Sequence, residues 1–105
     1  MSKCYEIKST AIYLGGGIRV LVEVKSKVTT RQLLMNEDDL FIPLDGKLIS
    51  DSLLSALVEE YASSDFDKSV LLGINKSRTA SKFEIEWAND IVSKKNDWWY
   101  NPIGF

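Results

Sequence analysis

From Ile18 to Lys25 hydrophobic and polar positions alternate, with Ile18, Val20, Val22 and Val24 on one face and Arg19, Glu23 and Lys25 on the other. Period two over eight residues predicts a strand that packs one face and turns the other to solvent. Upstream, between Cys4 and Leu14, the residues Tyr5, Ile7, Ile12, Tyr13 and Leu14 favour extended backbone, while polar Lys8-Ser9-Thr10 interrupts the pattern and predicts a bend. Gly15-Gly16-Gly17 separates the two segments and predicts the turn of a hairpin.

Downstream the period changes. Thr29 or Thr30 is placed to cap a short helix through Leu33, Leu34 and Met35, ended by the polar run Asn36-Glu37-Asp38-Asp39. Leu40-Phe41-Ile42 and Lys47-Leu48-Ile49 flank Pro43-Leu44-Asp45-Gly46, whose turn chemistry predicts a second, short hairpin with Pro43 at an edge. Ser50 is an N-cap residue and Asp51 suits the positive end of a helix dipole. The apolar stripe Leu53, Leu54, Leu57, Val58 and Tyr61 then predicts an amphipathic helix ending before Ser63. The run Ser69 to Ile74 reads as a short buried strand, followed by a polar loop from Asn75. From Ala80 to Lys95, Phe83, Trp87, Ala88, Ile91 and Val92 recur at three- and four-residue spacing and predict a second amphipathic helix. The aromatic tail Trp98 to Phe105 is expected to dock rather than fray.

These elements imply an α+β domain over residues 1–105: an antiparallel or mixed sheet, with two longer amphipathic helices and one short helix on one of its faces. With 45% hydrophobic and 27% charged residues, a chain of 105 residues has the material for one core. No run approaches the roughly 20 apolar residues of a bilayer span, and Glu6 sits where a signal peptide needs an apolar stretch, so a cytoplasmic protein is expected. The lone Cys4 has no internal disulfide partner and is expected in a strand core.

The chain contains no histidine, which removes the commonest general acid/base and with it Ser-His and Cys-His nucleophile systems. The acidic doublets Glu37-Asp38-Asp39 and Glu59-Glu60 lie in no pocket-forming pattern, the triple glycine precedes a strand rather than a phosphate-binding helix, and no calcium-loop spacing occurs. No enzyme activity, metal or cofactor is therefore expected. Lys94 and Lys95 beside Trp98, Trp99 and Tyr100 have the makings of a base-stacking surface, but a pI of about 5.1 argues against a polyanionic partner. Neither a nucleic acid nor a membrane is the expected partner.

Charge is unevenly distributed along the chain. Residues 1–36 hold six basic against two acidic residues (+4), residues 37–67 nine acidic against Lys47 (−8), and residues 68–105 six basic against four acidic (+2). An acidic middle third steers a basic protein partner. A small acidic-patched chain without catalytic machinery resembles the bacterial immunity proteins that neutralise toxic nucleases, including those of contact-dependent growth inhibition systems. The resemblance covers size, charge pattern and absent active-site chemistry over the whole chain and rests on no diagnostic motif. It implies an antitoxin role: a basic toxin domain, typically a ribonuclease or deoxyribonuclease, covered by acids standing in for substrate phosphates. The candidate contact residues are Glu37, Asp38, Asp39, Asp45, Glu59, Glu60, Asp65 and Asp67, with Tyr61 and Phe66 as aromatic anchors. A phage or plasmid inhibitor of a nucleic-acid-binding protein has the same signature, and a small structural subunit of a larger assembly would expose an apolar patch instead.

Overall fold

Sheet formation starts from two long strands, β1 (Glu6–Leu14) and β2 (Gly17–Lys25), paired antiparallel without interruption from Glu6↔Lys25 to Leu14↔Gly17. β1 is therefore continuous through Lys8-Ser9-Thr10, where the sequence predicts a bend. The computed structural model describes residues 5–14 and 17–100, and the side chains of all of these except 14, 17 and 95–100. Cys4, Gly15, Gly16 and the tail from Asn101 lie outside the described residues, as do the side chains of Trp98, Trp99 and Tyr100; the expectations placed on them fall outside with them.

The segment expected as a short helix is a strand, β3 (Thr30–Met35), joined to β2 by a tight turn in which the Ser26 N–H donates to the Thr29 carbonyl at 2.8 Å. The reason is tertiary. Leu33 and Leu34 are adjacent and both fully buried, and neighbouring side chains of a strand point to opposite faces, so as a strand the segment supplies one leucine to each of two covered faces. β4 (Phe41–Pro43) completes the sheet in the order β1-β2-β3-β4, all antiparallel. Pro43 occupies an edge as expected, but Lys47-Leu48-Ile49 forms no strand.

Helix α1 (Asp51–Tyr61) begins at Ser50, whose hydroxyl accepts the Leu53 N–H, as the sequence predicts. Helix α2 (Asp65–Ser77) replaces the expected strand at 69–74. Ser64 caps it by accepting the Asp67 N–H, and Asp65 and Asp67 lie in its first turn at the positive end of the dipole. Three apolar residues in a row, Val70 to Leu72, do not distinguish strand from helix, whereas the upstream Ser-x-x-Asp cap does. Helix α3 (Lys82–Tyr100) opens on a reciprocal capping box: Ser81 Oγ accepts the Glu84 N–H at 3.1 Å and Glu84 Oε1 accepts the Ser81 N–H at 2.9 Å.

Helices cover both faces of the sheet, not one. Val22, Val24, Leu33 and Phe41 pack with Leu53, Leu54, Leu57 and Val58 of α1 and Leu71 of α2. Their strand neighbours Leu21, Leu34 and Ile42, with Ile12, pack instead with Ala88 of α3. The face of β2 expected in solvent is consequently occupied: Leu21 is buried, and the side chain of Arg19 is only 16% exposed, its guanidinium 5.9 Å from the Trp87 ring centre. Among the described residues no helix is long and apolar enough to cross a membrane.

Two-sided burial predicts that Leu33→Ala and Leu34→Ala each lose about 3 kcal/mol of unfolding free energy, although they face opposite ways. Urea denaturation of the two variants checks this, and a large loss in only one of them would contradict a strand covered on both sides.

Candidate functional site

The acids of the middle third fold into separate places. Glu37, Asp38 and Asp39 form the β3–β4 turn, shaped by Asn36, whose Oδ1 accepts the N–H groups of Asp38 at 2.9 Å and Leu40 at 3.0 Å. Asp39 adopts a left-handed backbone with φ of 65°, a conformation Asp tolerates better than most residues. Glu37 Oε1 lies 3.5 Å from Arg19 Nη2, and the charge of Asp38 acts on Arg78. This turn is thus partly neutralised by Arg19, while Arg78 is paired with Glu84.

Asp45 is at the opposite end of the β3–β4 pair and is committed to Arg31. Arg31 donates from Nε to Oδ2 and from Nη2 to Oδ1, both at 3.0 Å, and also reaches the carbonyls of Lys47 at 2.9 Å and Leu48 at 3.3 Å. Desolvation works to raise the Asp45 pKa, but the Arg31 and Lys47 hydrogen bonds outweigh it and hold the carboxyl below its ordinary value. This fork holds the connection between β4 and α1, in a place from which Asp45 serves the fold.

Glu59, Glu60, Asp65 and Asp67 gather where α1 turns into α2. The turn is closed by the Ala62 N–H donating to the Val58 carbonyl at 2.9 Å and by Ser63 donating its hydroxyl to Asp67. Glu59 pairs with Lys68 across the two helices at 2.7 Å, while Glu60 and Asp65 have no ion-pair partner among the described residues. Four carboxylates therefore face one lysine. Phe66, between Asp65 and Asp67 in the first turn of α2, is 76% exposed, and Val70, one turn further along α2, is also exposed. The second aromatic candidate, Tyr61, turns inward: it is half-buried, its ring centre lies 6.0 Å from that of Phe41, and its hydroxyl bonds Ser9. Burial raises its pKa against the opposing Ser9 hydrogen bond.

Asn75 was not legible as a key residue, yet it sets the distance between these acidic places. Its Oδ1 accepts the Phe41 N–H at 2.9 Å, and its Nδ2 donates to the carbonyls of Asp39 at 3.0 Å and Leu71 at 2.9 Å. The β3–β4 turn is thereby clamped to the C-terminal half of α2, ten residues or about 15 Å along the helix from Asp65. No local pattern marks it, because in the sequence it opens a polar stretch after an apolar run. Asn89 acts similarly on the other face, donating to the Leu44 carbonyl at 2.9 Å.

A shallow cleft of about 210 Å3 opens beside β4, lined by Phe41, Pro43, Leu48, Ile49, Leu54 and Ile85. It is smaller than the usual range for a cofactor or drug-sized ligand, and none of the ten candidate contact residues lines it, although Gly46 and Lys47 next to Asp45 do. Among the described residues no three acidic or cysteine side chains converge as metal ligands. No protein-family model, curated protein or solved structure matches the chain.

Where the chain leaves α2, Arg78 makes two parallel bonds to Glu84, at 2.8 and 2.9 Å. With the Ser81 N–H they hold the Glu84 carboxyl down to about 2 from an ordinary 4.5. A depressed carboxyl stabilises the fold fully above pH 4.5 and loses that contribution as pH falls toward about 2. The melting-temperature gap between the wild type and Glu84→Gln is accordingly expected to be constant above pH 4.5 and to narrow between pH 4.5 and about 2. A gap that stays constant through this interval would show that the pair carries no titrating stabilisation.

Proposed function

We propose that this chain is an inhibitory binding protein of the immunity type, which neutralises a toxic nuclease domain in the cytosol by laying an acidic surface over its basic active site. The observation that carries the reading is the α1–α2 corner, where Glu59, Glu60, Asp65 and Asp67 have Lys68 as the local counter-charge and Phe66, between Asp65 and Asp67 in the chain, stands exposed. An exposed aromatic at an acid-rich helix junction is the kind of residue that anchors a protein-binding hot spot: the ring enters an apolar recess and the neighbouring carboxylates meet lysines and arginines that otherwise hold phosphates. The acids at the β3–β4 turn are partly compensated by Arg19 and contribute long-range steering rather than contact.

Tagged protein used to recover partners from native lysate at low and high salt tests this. The wild type is expected to retain one basic protein that high salt weakens, and the recovered protein to lose nuclease activity in a stoichiometric complex. Phe66→Ser combined with Glu60→Gln and Asp65→Asn is expected to reduce affinity by about 100-fold or more, as loss of a hot spot does. Glu37→Gln with Asp38→Asn is expected to slow association with little change in dissociation. Binding indifferent to the corner substitutions, or a partner whose activity survives complex formation, would refute the reading.

A further inference from the structure

The sheet has two edges of unequal character. At β4 the edge is three residues long, Pro43 has no N–H to offer, and the Phe41 N–H is already taken by Asn75 Oδ1 at 2.9 Å. At β1 the edge runs nine residues, contains no proline, and its register against β2 is unbroken by any bulge. Proteins normally blunt so long an edge, because its outward N–H and C=O groups form a template for another strand. Among the described residues no element pairs with it. Its single central charge, Lys8, is balanced by Glu6.

We infer that β1 pairs antiparallel with β1 of a second copy of this chain, joining two four-stranded sheets into one across a two-fold axis near Thr10. Self-pairing in this register matches all nine residues of the strand. On the α1 side, Tyr13 falls opposite Ile7 and Ser9 opposite Ala11; on the α3 side, Lys8 falls opposite Ile12 and Glu6 opposite Leu14. No like charges meet, whereas a register centred on Lys8 sets two ammonium groups face to face. The same register covers Tyr13, which is 71% exposed in the monomer and has the half-buried Ile7 as its new neighbour. An identical copy is the fitting occupant because its own edge is equally open and equally neutral, so one isologous contact closes both. A contact about 30 Å long and one strand wide is at the small end of interface sizes, which makes the dimer reversible.

Sedimentation equilibrium of the purified chain from micromolar to millimolar concentration is expected to show the mass double. Amide hydrogen exchange in β1 is expected to slow with concentration while β2 and β3 stay unchanged. Ala11→Lys, at an exposed position, is expected to keep the monomer's circular dichroism and melting temperature and to lose association, whereas Ala11→Thr retains it. Phe66→Ser serves as the control for association through α2 and is expected to leave the mass profile unaltered. A chain that is monomeric at every concentration, or association that leaves β1 exchange unchanged or is abolished by Phe66→Ser, overturns the inference.

Discussion

Simultaneous burial of Leu33 and Leu34 is the constraint from which the architecture follows. Within a strand, two adjacent leucines with no solvent exposure require neighbours on both edges and cover on both faces. β2 and β4 supply the flanks, α1 with Leu71 of α2 covers one face, and α3 covers the other through Ala88. Each large buried side chain contributes about 1.5–3 kcal/mol by leaving water, so the preference is strong enough to override the helical propensity of a Gln-Leu-Leu-Met run. Two asparagine side chains then tie the helices to the β4 region: Asn75 from α2 and Asn89 from α3, each satisfying backbone groups that a short edge strand leaves open.

That arrangement also decides what the charges do. Nine acids within 31 residues suggest one field, but the chain reverses direction several times within that stretch. Asp45 closes a fork with Arg31 at one end of the β3–β4 pair, the turn acids sit at the other end beside Arg19, Asp51 opens α1, and Glu59, Glu60, Asp65 and Asp67 collect at the α1–α2 corner. Exposed ion pairs contribute little to stability, so the difference between these places is chiefly in the potential they present outward. The corner keeps the largest uncompensated charge and the one exposed aromatic within it, which is why the functional reading narrows to that place.

The sequence by itself determined the class of fold and the elements whose signals are local. The β1–β2 hairpin follows from period two, α1 from the Ser50 cap and its leucine stripe, and most of α3 from its three- and four-residue spacing. Histidine's absence and the clustering of acid in the middle third are likewise composition facts. Of the ten candidate contact residues, the proximity of Glu59, Glu60, Asp65, Phe66 and Asp67 was legible because they are near neighbours in the chain at the end of α1, although the helix that carries the last three was not. Tertiary structure alone decided the rest. β3 and α2 exchanged their expected types because a short apolar run carries no intrinsic period, and its conformation is set by which surfaces it must cover. Whether helices lie on one face of the sheet or both, whether Arg19 faces water or Trp87, and whether Tyr61 points out or meets Phe41 all depend on contacts between residues far apart in the chain. Such contacts leave no local pattern, because the free energy of burial depends on the final neighbours and not on the order in which they are linked.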